Sequence, residues 1–466
     1  MDDKTAPDTG HELLARAVDA ADDTRVLRFG HGVVGQTGEV FAQQFPGRDV
    51  LVVADDNTFK AAGEAVVHAL RAAGVQFAGT PYVFPGTPTL HSDYEHVVTI
   101  RELLAASPAA VCCAIAAGTL NDLVKLASGE LGRPYMVVCT AASVDGYTAF
   151  GASIARDGFK ITRPCPAPAA LIADTAVMAA APSRLTATGY GDLIEKLPAG
   201  ADWILADELG IEPIDGKVWD LVQPATRDAL ADPGAVATGS LPAVASLAEA
   251  NLLSGLAMQA MRSSRPASGA GHLFSHVWEM EGHGQDWEPP LSHGFKVGIG
   301  TVASCALWQQ ALKLDPATID VDRLVATAPG PDALEARCRA LLIPRVAEAA
   351  IGQSLEKLVT GDALRDRLQT IKNRWPNVVD RCAAQLITPD DAADRLRAAG
   401  APYHPAQIGI DLPRLRRTYF EAQLIRARYT VLDALAELGV LQHLVDGLFA
   451  PGGYWAAQPV PEEAAA

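Results

Sequence analysis

Histidine is concentrated in one short stretch of this chain. Residues 272–293 hold His272, His276, His283 and His293, out of 11 histidines in 466 residues. Even usage would place about one half of a histidine there. His272 and His276 are spaced i, i+4, on one face of an expected helix. His293, in Ser292-His293-Gly294, opens the next. Neutral imidazole is a common metal ligand, so the cluster suggests a metal site. Surface or hydrogen-bonded histidines are the plain alternative. A carboxylate stands upstream, in Thr188-Gly189-Tyr190-Gly191-Asp192. Each glycine inside a helix costs ~1 kcal/mol relative to alanine, which close approach of a backbone or an ion would explain. Asp192 can then supply an oxygen ligand. Otherwise the helix starts two residues later than expected and Asp192 sits in its first turn.

Two further segments suit a ligand. Gly118-Thr119-Leu120-Asn121-Asp122 follows an apolar run and opens a helix. Gly118 lets the backbone come close to a ligand, and the free N–H groups of the helix start favour phosphate. It is not a GxGxxG motif, and a Gly-Thr turn that opens a helix is more often simply a turn. Thr140-Ala141-Ala142-Ser143-Val144-Asp145-Gly146-Tyr147-Thr148 follows another apolar run. Small residues, hydroxyls and one acid suit a ligand-lining loop, or an ordinary polar loop.

The elements that must carry these residues alternate in period. Residues 50–54, 111–116 and 135–139 are short continuous apolar runs, the pattern of buried parallel strands. Residues 76–84 are expected as a further strand and 170–173 as a last short one. Phe59, Ala62, Val66, Leu70 and Ala73 mark one helix face, stopped by Gly74. Helices are also expected over 94–106 and 121–128. Strand, helix, strand, helix with short connections predicts an α/β doubly wound, Rossmann-like domain over 1–165, with ligands at the carboxyl ends of its strands. From residue 183 the pattern is helical: 183–196, 243–261, 271–280, 295–313, 334–351, 355–373, 390–399 and 412–439. A C-terminal all-helical domain is expected over 166–455, and a disordered tail over 456–466.

Composition narrows the class. Lys+Arg number 38 and Asp+Glu 55, a net charge of −17, which excludes a nucleic-acid partner and an anionic membrane surface. The apolar share of 49% excludes extensive disorder. The apolar stretch 109–120 is too short to span a bilayer. Met1-Asp2-Asp3-Lys4-Thr5 is unlike a signal peptide. Seven cysteines without a CxxC motif read as reduced thiols. A cytoplasmic protein is expected.

Several segments, taken in order, resemble the sn-glycerol-1-phosphate dehydrogenases, within the group of iron-containing alcohol dehydrogenases, glycerol dehydrogenases and dehydroquinate synthases. They are the 140–148 loop, Ile172-Ala173-Asp174, Gly189-Tyr190-Gly191-Asp192, Ser264-Arg265-Pro266-Ala267-Ser268-Gly269-Ala270 and His293-Gly294-Phe295-Lys296-Val297-Gly298. The resemblance covers roughly residues 25–310, is most specific over 264–280, and stops near 320. It implies an active site in the cleft between the two domains. One divalent metal would be held by Asp192, His272 and His293; that donor set suits Zn2+, with Ni2+ or Fe2+ as alternatives. NAD(H) or NADP(H) would lie across the turn of Gly118, Thr119 and Asp122 and the loop of Thr140 and Ser143. Asp55 matches an acid that contacts the adenosine ribose and favours NAD, because it would repel a 2′-phosphate. Asp145 matches a residue near the substrate, and His276 a proton-relay candidate beside the metal. Lys160 and Lys296 are offered, on charge grounds, to a substrate phosphate.

The implied reaction is reduction of dihydroxyacetone phosphate to sn-glycerol 1-phosphate by a homodimer. A dehydroquinate-synthase-like lyase and a non-catalytic relative are the alternatives. The family usually reads Gly-Ser-Gly-Thr where this chain has Ala116-Ala117-Gly118-Thr119, and Glu before the first metal histidine, where this chain has Gly271.

Overall fold

The computed structural model describes residues 9–156 and 159–461, apart from the side chains of residues 9–11, 159 and 160. The chain divides into two compact units. The first comprises Met1–Leu193, Asp220–Ser264 and Trp287–Pro290; the second comprises Ile194–Trp219, Arg265–Asp286 and Leu291–Ala466. The division is therefore interleaved, and the expected single break after residue 165 is corrected.

The first unit is built on β1 (Val26–Gly30), β2 (Asp49–Asp55), β3 (Tyr82–Phe84), β4 (Ala110–Ala116), β5 (Tyr135–Cys139), β6 (Ala152–Arg156), β7 (Phe159–Arg163) and β8 (Ala170–Asp174). Six of these form one sheet in the order β1-β8-β5-β4-β2-β3. Every pairing in it is parallel. β4 and β5 are buried along their whole length, which is why they read as unbroken apolar runs. Val52, Val111, Ile115, Val138 and Ile172 belong to the core of this sheet. The expected strand over 76–84 is confined to Tyr82–Phe84, apart from one bridge between Phe77 and Val50. Gly79 and Pro81 interrupt it, because proline cannot donate to a ladder. The expected helix over 121–128 spans Gly118–Glu130. β6 and β7 form a separate antiparallel hairpin.

Leu241–Met261 is, among the described residues, the one helix long and apolar enough to cross a membrane, and 67% of its apolar window is buried. A helix apolar all round is also what a core position requires.

The described residues of the second unit form helices joined by loops, with no strand among them. Two expected helices are each divided. Residues 334–351 belong to Pro331–Leu341 and Pro344–Lys357, because Pro344 forces Ile343 into an extended conformation, ψ 146°. Residues 412–439 contain Leu412–Ala422 and Val431–Glu437, the second opened by a capping box between Thr430 and Asp433. The expected tail is corrected at its start: Tyr454–Ala457 is helical and Trp455 is buried. Residues 462–466 lie outside the described residues.

Candidate cofactor and metal site

In the first unit, the candidate cofactor residues gather at the carboxyl ends of the parallel strands. Asp55 ends β2, and its Oδ1 accepts the N–H groups of Asn57 and Thr58 at 2.9 Å each, capping the next turn. Gly118 opens the helix after β4; a Cβ there would stand 3.0 Å from Val144 Cγ1. Ala116 is the last residue of β4 and pairs with Cys139. No residue from 116 to 119 has positive φ, so alanine in place of the family's glycine carries no backbone strain.

The loop over 140–148 is held from two sides by glycines. A Cβ on Gly189 would lie 1.9 Å from the Ala142 carbonyl oxygen. A Cβ on Gly255 would lie 2.1 Å from Thr148 Oγ1 and 2.5 Å from the Asp145 carbonyl oxygen. Gly189 is thus inside a helix, Ser183–Leu193, because another backbone touches it. Thr140, Ser143 and Asp145 are all buried in this packing. The Asp145 carboxylate accepts the Ser254 hydroxyl at 3.0 Å, and its amide donates to Asp192 Oδ2 at 3.0 Å. Asp192 is fully buried on the same helix as Gly189. Asp174 is engaged structurally: it accepts the amides of Val34 and Ala176.

Lys125, three residues after Asp122, was not among the expected residues. Its ammonium is fully buried and donates to the carbonyls of Gly146, Ala149 and Gly151 at 2.7, 2.9 and 3.1 Å. Asp122 pairs with it at 3.4 Å and accepts the Ser153 amide. Lys125→Met should leave these carbonyls and the carboxylate short of partners, and lower stability by about 3 kcal/mol or more. Urea unfolding measures this; a change below about 0.5 kcal/mol, the range of an ordinary surface substitution, would refute it. Lys160 stands on β7, opposite Ala155, and its side chain lies outside the described residues.

In the second unit, His272 lies on helix Ala270–Met280, as does His276, and His293 is the first residue of helix His293–Ala311. Their ring centroids stand 5.5 Å (His272 to His293), 6.0 Å (His276 to His293) and 6.1 Å (His272 to His276) apart. Buried carboxylates back them. Glu195 Oε2 lies 2.8 Å from His272 Nδ1. Glu279 reaches His293 Nδ1 at 2.8 Å and His276 Nδ1 at 3.3 Å. Burial opposes charge on Glu279, yet His293, His276 and Lys296 outweigh it and hold its carboxyl well below the usual range. Burial pushes the His276 imidazole down to about 4. Lys296 is buried on helix His293–Ala311. His283 lies elsewhere, its Nε2 2.6 Å from the Ile408 carbonyl oxygen.

Gly271 has a packing reason. A Cβ there would meet Glu195 Cγ at 2.8 Å and the Gly300 backbone at 3.1 Å. Sequence reasoning missed both carboxylates. Glu279 was accessible, at i+3 from His276. Glu195 has no local signal, since its partner is 77 residues away.

A family model described as iron-containing alcohol dehydrogenase matches residues 28–182. The chain is 37% identical over 260 residues to a glycerol-1-phosphate dehydrogenase (NAD(P)+) of Halalkalibacterium halodurans, covering 56% of this chain and 65% of that protein. It thus spans just under two thirds of that relative. It is 32% identical over 307 residues to a glycerol-1-phosphate dehydrogenase (NAD(P)+) of Methanosarcina barkeri, covering 64% of this chain and 83% of that one. The crystal structure of glycerol dehydrogenase from Schizosaccharomyces pombe superposes with a TM-score of 0.55 at 15% identity, over 91% of this chain and 90% of the other. At that identity the likeness speaks for the fold, and its coverage takes the fold beyond residue 320. Identity above 30% across most of the Methanosarcina barkeri protein settles the lineage: this chain belongs to the glycerol-1-phosphate dehydrogenase family, within the iron-containing alcohol dehydrogenases.

Proposed function

We propose that this protein is an NAD(P)-dependent and metal-dependent dehydrogenase that reduces dihydroxyacetone phosphate to sn-glycerol 1-phosphate. The observation that carries the reading is the pair His272 and His293, each with Nδ1 set against a buried carboxylate. That arrangement places the proton on Nδ1 and the lone pair on Nε2, the form in which imidazole binds a cation. The ligands assigned to one ion are Asp192, His272 and His293, the three positions that the family resemblance implies. One carboxylate and two imidazoles suit Zn2+, the ion proposed, and also Ni2+ or Fe2+. The likeness to glycerol-1-phosphate dehydrogenases that use NAD(P)+ supports the substrate and the NAD(P) cofactor.

In this reading the bound cation supplies Lewis-acid polarisation of the carbonyl, and the nicotinamide supplies hydride. The remaining work falls to the chain. The amides opening helix Gly118–Glu130, with Thr119, Thr140 and Ser143, bind the cofactor's phosphates and nicotinamide end. Asp122 shapes this turn through Lys125 and Ser153. Asp55 takes the ribose. Asp145, held by Ser254, orients the substrate. His276, whose Nδ1 faces Glu279, relays a proton through Nε2 to the product oxygen. Lys160 and Lys296 bind the substrate phosphate.

The test is direct. Chelator-treated protein should not oxidise NADH or NADPH with dihydroxyacetone phosphate, and restoring Zn2+, Ni2+ or Fe2+ should recover turnover. Elemental analysis of protein purified without chelators identifies the ion. No turnover with any phosphorylated or free triose, with metal and both nucleotides present, would overturn the reading.

A further inference from the structure

We propose that Glu195 is the positioning residue that sets the tautomer of His272, and that Gly271 is the residue that makes room for it. The first observation concerns the helix that carries His272. Ala270–Met280 starts after Gly269, whose position provides no side-chain cap. The first amides of a helix have no partners within it, and here they are buried. Two carboxylates from outside that helix take them. Glu195 Oε1 accepts the Gly269 amide at 3.1 Å and the His272 amide at 3.3 Å. Asp202 Oδ2 accepts the Ala270 amide at 2.6 Å. The positive end of the helix dipole favours these anions. Glu195 is therefore a capping group supplied from 74 residues upstream of the residue it caps.

The second observation is that the same carboxylate also holds the imidazole of the residue it caps. Its other oxygen, Oε2, lies 2.8 Å from His272 Nδ1. A carboxylate offers only acceptors, so Nδ1 must carry the proton and Nε2 the lone pair. Glu195 thus fixes backbone, ring orientation and tautomer together. An amide in its place would behave differently. Glutamine could still accept backbone amides through its oxygen. Its NH2 would then face Nδ1 as a donor and move the imidazole proton to Nε2, where it blocks a metal bond.

The third observation ties Gly271 to this role. A Cβ at 271 would stand 2.8 Å from Glu195 Cγ and 3.1 Å from Oε1, with the Gly300 backbone 3.1 Å away on another side. A backbone neighbour cannot yield as a side chain can, so the displaced group would be Glu195. Gly271→Ala should therefore disturb His272 without altering any polar group.

The inference rests on His272 being a metal ligand, as proposed above, and its test separates the two ideas. Wild type, Glu195→Gln and Gly271→Ala, all full-length, are titrated with Co2+ and with Zn2+ under competition. Long-range 1H–15N spectra report the His272 tautomer in the metal-free proteins, and urea unfolding checks the fold. Wild type should show the Nδ1–H form; Glu195→Gln should show the Nε2–H form and bind either ion 10–100-fold more weakly. Gly271→Ala should lose affinity in the same direction. A wild type that binds no ion would sink the metal reading, while the tautomer spectra would still decide the role of Glu195. A folded Glu195→Gln with an unchanged His272 tautomer and unchanged Co2+ affinity would overturn the inference.

Discussion

Asp192→Asn should lose its metal and its turnover and stay folded. The side chain is fully buried, and its contact to the Asp145 amide uses Oδ2 as an acceptor. An asparagine keeps the shape and can keep that acceptor through its own oxygen, so packing changes little. What it removes is the negative charge. A dication held by two neutral imidazoles and a neutral amide retains its full +2 charge in a site of low dielectric. Affinity should fall by about 100-fold or more. The Lewis-acid contribution to such reactions is several kcal/mol, so turnover should fall by about 10³-fold. NADH binding should persist, because no cofactor group is altered. The control is His283→Ala. His283 Nε2 lies 2.6 Å from the Ile408 carbonyl oxygen, and among the described residues it belongs to no metal donor set. Its loss should cost about 1 kcal/mol of stability and leave metal content unchanged. Metal stoichiometry and urea midpoints are measured for both. Stoichiometric metal in Asp192→Asn with loss in His283→Ala would require the site to be redrawn around His283.

Much of this architecture is written locally in the chain, and the parts that are not share a physical reason. β2, β4 and β5 were legible because both faces are buried, so β4 and β5 are apolar throughout and β2 is apolar between its two terminal aspartates. β1 was missed: it sits at the sheet edge, carries Arg28 and Gly30, and is only partly covered. The hairpin of β6 and β7 pairs residues such as Ser153 and Thr162, whose polarity resembles a loop. The long helices of the second unit were read through their breaks, since apolar spacing on either side of Pro344 continues in phase. At the site, the histidines stood out by density and Asp192 by the glycines before it. The groups that discipline them did not. Glu195, Asp202 and Lys125 act on backbone atoms far along the chain, and a carbonyl or an amide leaves no mark in a sequence.

The largest stability effect should come from Arg265, which sits in the most specific part of the family resemblance. Its guanidinium is fully buried and donates to the Tyr429 carbonyl at 2.8 Å and the Asp202 carbonyl at 2.6 Å, with Nε 3.3 Å from Glu212 Oε2. Asp202 in turn accepts the amides of Ala270 and Val431 and the Trp308 indole N–H. Those three residues belong to helices Ala270–Met280, Val431–Glu437 and His293–Ala311. Arg265 and Asp202 therefore fasten three helices at one point, two of which carry the candidate metal histidines. Arg265→Met preserves much of the volume and removes every donor. Two buried carbonyls then lack their donor, at about 1–3 kcal/mol each, and the partly exposed Glu212 loses its ion pair. Arg265→Lys should recover little, because one ammonium cannot reproduce a planar fork that reaches two carbonyls at once. The comparison is Arg416→Ala, which breaks an ion pair with Asp446 that lies at the surface. Such pairs contribute about 0–1 kcal/mol. Urea unfolding at fixed salt compares the three variants. If Arg265→Met and Arg416→Ala lost the same stability, the buried guanidinium would not be the fastening point that its contacts describe.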